Sequence, residues 1–321
     1  MNQLQLWRRR SVLLAGLGLA GASLHNLANR PGASRSNLAT DTTGATFANQ
    51  SIDDSSSADQ PLKLGWSPWA DAEVVSLMAA QLIESELKQP VERVMADIGI
   101  QYQSVARGDL DLMLMAWLPG THRDYWGKVR DQVLDLGPMY SGRLGWIVPD
   151  YVPREVISSI NQLQNPQLAA RFGGRVQGID PGSGLNQASL KALKQYGLTS
   201  MELVASSSAA MAAVLAQAIE EQRWLIATSW TPHWMFARFK LRFLSDPKGS
   251  FGGTERIHAV ARQGLDQRHP ALTAFLSRFH LPESDLDGLL LQAQESSAET
   301  AVSTYLARHP NRVRYWTTGT I

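Results

Sequence analysis

The sequence predicts an α/β protein of two lobes, each a mostly parallel sheet flanked by helices, with a cleft between them. Three observations predict it. Short apolar strands alternate with amphipathic helices after Pro61, the alternation restarts near Leu144, and helical segments then fill most of the chain to about His309. A chain of 321 residues is also longer than most single cores grow. With 44% hydrophobic and 18% charged residues, its composition is that of a globular protein.

In the first unit Leu62 to Trp66 reads as a strand, and Asp71 as the N-cap of a helix. Within that helix Val74, Val75, Met78 and Leu82 recur on one face at helical spacing. Val91 to Met95 is the next strand and Ile98 to Ala106 the next helix. Leu110 to Ala116 is a nearly unbroken apolar run, as expected of a strand covered on both faces. Such a succession implies parallel strands joined by right-handed crossovers. The second unit reads as strands at Leu144–Val148, Arg175–Ile179, Met201–Ala205 and Trp224–Thr228. Helices fall at Gly184–Tyr196 and Ser206–Gln222, the latter opened by hydroxyl caps. Leu241–Leu244 and Ile257–Ala261 complete the strands before the helical return.

The ends differ from this body. Residues 1–28 read as an export signal: Arg8, Arg9 and Arg10 precede an uncharged run from Ser11 to Leu24. That run is too short to span a bilayer comfortably. Arg-Arg-Arg-Ser-Val-Leu-Leu resembles the twin-arginine type, with a Sec signal or an uncleaved anchor as alternatives. Residues 29–60 are Ser, Thr, Ala, Asn, Gly and Asp with little to bury, and are expected to be a disordered tether. The folded body is therefore expected outside the cytoplasm, exported or held to the membrane through the N-terminus.

Charge and cysteine content narrow the function. Thirty Lys and Arg against 29 Asp and Glu leave no basic footprint for nucleic acid. With no cysteine, disulfides, thiolate metal sites and Cys nucleophiles are excluded. No His-Glu-x-x-His, Gly-x-Ser-x-Gly, Gly-x-Gly-x-x-Gly or phosphate-binding Gly-x-x-x-x-Gly-Lys loop occurs, so no catalytic residue, cofactor or metal is expected.

The ten tryptophans are more informative. Trp69, Trp117 and Trp230 each fall just past the carboxyl end of a predicted strand, where open α/β sheets bind ligands, and each has a Pro close by to stiffen its loop. Two come from the first unit and one from the second. Indole faces suit a quaternary ammonium group, which has no N–H to donate, and each desolvated contact contributes ~2 kcal/mol. Three contacts give about 6 kcal/mol gross, and micromolar binding needs about 8 kcal/mol net, so a second anchor is required. Asp180-Pro-Gly-Ser-Gly-Leu-Asn186 follows a predicted strand and opens a helix, where outward-pointing amides favour an anion. His122, five residues after Trp117, is a further donor for a carboxylate.

The segments Leu64-Gly-Trp-Ser-Pro-Trp-Ala-Asp71, Ala116-Trp-Leu-Pro-Gly-Thr-His122, Asp180-Pro-Gly-Ser-Gly184 and Trp230-Thr-Pro-His-Trp234 resemble, in order, the glycine betaine/choline substrate-binding proteins of ABC transporters. The likeness runs from about Leu62 to Arg308. It implies a type II periplasmic-binding-protein fold that closes by hinge motion, with residues 61–142 and 245–321 as one lobe and 143–244 as the other. It implies a trimethylammonium box of Trp69, Trp117 and Trp230, and carboxylate contacts from His122 and the amides of Gly184 and Leu185. Trp66 and Trp234 are assigned to packing, and His233 receives no role. Many relatives carry an acid just before the Ala-Trp pair, where this chain has Met115. The implied ligand is glycine betaine, proline betaine or choline. The betaines are favoured because choline leaves the carboxylate anchor empty. The implied partners are a membrane permease and ATPase subunits, with the chain itself a monomer. A sensory solute receptor of the same fold would suit the same features.

Overall fold

The computed structural model describes residues 60–321. The expected export signal and most of the tether lie outside the described residues. Among those described, no helix is long and apolar enough to cross a membrane.

Nine strands form one continuous sheet: β1 (Leu62–Trp66), β2 (Val91–Met95), β3 (Leu112–Leu118), β4 (Val133–Pro149), β5 (Arg175–Gln177), β6 (Glu202–Val204), β7 (Ile226–Thr231), β8 (Leu241–Phe243) and β9 (Glu255–Arg262). Their order is β2-β1-β3-β9-β4-β7-β5-β6, with β8 paired to β4. The sheet has two halves. In one, β2, β1 and β3 are parallel and β9 runs against β3; in the other, β6, β5 and β7 are parallel and β4 runs against β7. β4 belongs to both, pairing with β9 as far as Gly142 and with β7 from Arg143 onward.

The parallel strands arise as the alternation predicts. β1 leads into the helix Ala70–Glu86, β2 into Ile98–Arg107, β5 into Gly184–Tyr196 and β6 into Ser208–Glu220. Every residue of β3 is buried, which matches its unbroken apolar run. Hydroxyl caps set two helix starts: Ser183 Oγ accepts the Asn186 amide, and Ser207 Oγ accepts the Ala210 amide. Gly108 and Gly197 end two helices with positive φ, where a side chain would be strained. The C-terminal helices return to the first half, where Ala298–Arg308 packs on Ala70–Glu86.

Three expectations need correction. The first helix begins at Ala70 with Trp69 at the capping position, so Asp71 lies inside it, as its second residue. β3 and β7 each start two residues later than expected and run further, so Trp117 and Trp230 lie within strands. Antiparallel partners β9 and β4 carry those strands on into the cleft. Finally, the first half of β4 was not anticipated. Gly137, Pro138 and Gly142 interrupt its pattern, and the pairing with β9 absorbs them through register shifts at Asp135/Gly137 and Pro138/Tyr140.

Candidate functional site

All six residues singled out in the sequence line one cavity of about 300 Å³. Trp69, Trp117, His122 and Trp230 come to it as side chains, and Gly184 and Leu185 as the start of a helix. Asp71, Thr121, Ser183, Leu144 and Ile179 complete the wall.

The three indoles are held by different partners. The Trp69 N–H donates to Asp180 Oδ1 at 2.9 Å, and the Trp230 N–H donates to Asp71 Oδ1 at 3.0 Å. The Trp117 N–H turns to the sulfur of Met115 at 3.3 Å, so Met115 supplies a soft acceptor. The rim of the Trp117 ring rests on Gly142, where a Cβ would come within 2.6 Å of the ring and 2.3 Å of the Thr231 carbonyl oxygen. Only glycine fits there. Behind Trp230, the ring of His233 stands edge-on at 4.6 Å with its Nδ1 accepting the Met235 amide. His233 thus backs one wall of the cavity. Trp234 packs beside His233, and Trp66 lies beneath the guanidinium of Arg93.

Asp71, which reads as an N-cap in the sequence, lines the cavity instead. It is 1% exposed, and its carboxylate accepts the Tyr140 hydroxyl at 2.9 Å as well as the Trp230 N–H. Its hydrogen-bond partners are neutral, and burial pushes its pKa up to about 6. The signal was present: Asp71 precedes Val74, Val75, Met78 and Leu82 on the same buried helical face. An acid on that stripe must be buried.

The part of the lining formed by the helix start and the Thr121–His122 loop is built mainly from backbone. Ser183 is buried and takes the Asn186 amide, while among the described residues the Gly184 and Leu185 amides find no protein acceptor. A Cβ on Gly184 would come within 2.4 Å of Thr121 Cγ2 and 2.9 Å of the Thr121 carbonyl oxygen. The missing side chain therefore lets this helix start meet the Thr121–His122 loop. Glu255 fixes that loop by accepting the amides of Gly120 and Thr121 at 3.0 and 3.1 Å. His122 Nδ1 accepts the Trp117 amide at 3.1 Å, which leaves the ring proton on Nε2. Burial pushes the His122 pKa down to about 3, so the imidazole is neutral and Nε2–H is a donor at physiological pH.

The cavity therefore brings three indoles and one buried carboxylate together with neutral N–H donors. Two α/β halves that share one strand and close around such a cavity define a two-lobed solute-binding protein of the type II periplasmic fold. The chain matches the family described as the substrate-binding domain of ABC-type glycine betaine transport systems over residues 60–308, and it belongs to that family. The family is one of transport receptors, not of enzymes. The chain is 36% identical over 155 residues to a glycine betaine/carnitine transport binding protein of Listeria monocytogenes. That alignment covers 47% of this chain and about half, 52%, of the relative. Among solved structures, lactococcal OpuAC, closed and complexed with glycine betaine, is 33% identical with a TM-score of 0.74. The match covers 81% of this chain and 100% of that one. The glycine/betaine/L-proline-binding protein ProX of Borrelia burgdorferi is 27% identical with a TM-score of 0.75, over 80% of this chain and 97% of its own.

Proposed function

We propose that this protein is the extracytoplasmic receptor of an ABC importer and binds glycine betaine or a related quaternary ammonium solute. The observation that carries the reading is the convergence of three indoles from both halves on one cavity, with Asp71 beside them and unpaired donors in the same lining. The trimethylammonium group sits among Trp69, Trp117 and Trp230, where the ring faces and the Asp71 carboxylate both attract it. The ligand carboxylate accepts from His122 Nε2–H and from the amides of Gly184 and Leu185. These donors are neutral and already oriented, so binding the anion needs no proton transfer.

The lobes are residues 61–142 with 245–321, and 143–244. The change of partner along β4 between Gly142 and Arg143 supports the first boundary. Because ligand touches both halves only when they meet, it selects the closed arrangement by differential affinity. The closed protein then docks on a membrane permease driven by separate ATPase subunits. Import of a compatible solute under osmotic stress is the corresponding role.

One observation favours choline as a second ligand. Asp71 is a buried carboxylate with neutral partners, and a cation lacking its own acid would neutralise it fully. A competition series of glycine betaine, proline betaine, choline and carnitine, followed by intrinsic Trp fluorescence, tests both readings. Micromolar binding of glycine betaine, tighter than that of choline, is expected. A protein indifferent to all four ligands would remove the proposal.

A further inference from the structure

Two indole N–H groups of the cavity end on carboxylates of the opposite half. Trp230 on β7 reaches Asp71 beyond β1, and Trp69 beyond β1 reaches Asp180 beyond β5. The two acceptors differ in one respect: Asp71 lines the cavity, whereas half-buried Asp180 is outside its lining. The segment that carries Asp180 makes another crossing. The Tyr125 hydroxyl donates to the Gly182 carbonyl at 2.9 Å and accepts from Gln187 Nε2 at 2.8 Å. Tyr125 is itself held by stacking on Tyr102, with ring centroids 5.8 Å apart and planes 16° from parallel. Each of these bonds joins the β1–β3 half to the β5–β7 half, and so exists only while the halves meet.

We infer that Asp180 is a positioning residue. It fixes the plane of the Trp69 ring and holds the closed form, and so sets how fast a ligand it never touches is released. The inference rests on reading the cavity as a quaternary ammonium site. An indole N–H lies in the ring plane, so the place of its acceptor determines which way the face looks. A hydrogen bond to a charged acceptor is among the stronger kinds. A contact made in the closed state and lost in the open one shifts that equilibrium by its whole differential free energy.

The test compares wild type, Asp180→Ala and Asp180→Asn by stopped-flow Trp fluorescence with glycine betaine. Asp180→Ala is expected to release ligand about tenfold faster, with association changed by less than about twofold. Asp180→Asn keeps an acceptor oxygen without the charge and should fall between. The unfolding midpoint should not move. A ligand-independent reading comes from spin labels on Met95→Cys and Leu190→Cys, exposed positions on opposite halves of a chain with no other cysteine. Without ligand, Asp180→Ala should deplete the short-separation population and Asp180→Asn should partly restore it.

Wild-type release together with an unchanged separation distribution in Asp180→Ala overturns the inference, as does a loss confined to the unfolding midpoint. If wild type fails to bind glycine betaine, the ligand reading fails and the separations decide alone. A shift on Asp180→Ala then sustains the latch, and an unchanged or wholly open distribution overturns it.

Discussion

The cation and anion ends of the proposed site solve opposite electrostatic problems by different means. The cation end uses side chains from distant parts of the chain, including one carboxylate that burial raises to about pKa 6. The anion end uses a helix start, one glycine-dependent close approach and a histidine that burial holds neutral. Fixed amides need no proton to do their work, whereas the Asp71 carboxylate must stay ionised where water is scarce. The first end should therefore respond to pH and the second to bulk.

The largest effect is expected where bulk blocks closure. Gly184→Ala puts a Cβ against Thr121, backbone included, and should weaken glycine betaine at least about a hundredfold in calorimetry. The unfolding temperature should barely change, because the first position of a helix accepts alanine. Trp117→Ala removes one cation–π wall, ~2 kcal/mol, and should weaken glycine betaine and choline alike by about thirtyfold. A loss confined to one ligand would show that Trp117 does not face the shared trimethylammonium group.

Asp71→Asn should cost about tenfold in choline affinity and less for the zwitterionic betaine. It also carries a pH signature. The native carboxyl holds its proton to about pH 6, while the unfolded chain releases it near 3.8. Between those values the native state binds the extra proton, so raising the pH through this window costs stability, roughly 3 kcal/mol in all. Asp71→Asn should therefore melt higher than wild type at pH 7, with the difference gone below about pH 4. Wild-type affinity for choline should fall as pH drops below about 6, because the cation must then displace a proton. Parallel melting curves of the two proteins across this range would place the buried charge elsewhere.

The smallest effect belongs to His122. With its pKa near 3, the imidazole does not titrate near neutrality, so any inflection of betaine affinity near pH 6 should come from Asp71 and persist when His122 is replaced. His122→Gln should cost glycine betaine about fivefold and leave choline unchanged, which competition titrations would resolve.

Legibility in the sequence followed the same divide between local and distant causes. β1 and β2 were readable to the residue because alternation and flanking turns are local. The helix start at Gly184 was readable for the same reason, since Pro, Gly and Ser announce it. The long first half of β4 was not, because its Gly and Pro read as a loop until β9 supplies an antiparallel partner. Asp71 reads as a cap, since an acid opening a helix usually serves that end. Only the arrival of Tyr140 and Trp230 from far along the chain shows where its carboxylate points.

Gly142 is the last residue of β4 paired to β9, and the rim of the Trp117 ring lies on it. A hinge at this change of partner along β4 would carry Trp69 and Trp230 with their respective arms and leave Trp117 at the pivot. Its emission should therefore record whether a guest is present, independently of how wide the jaws stand.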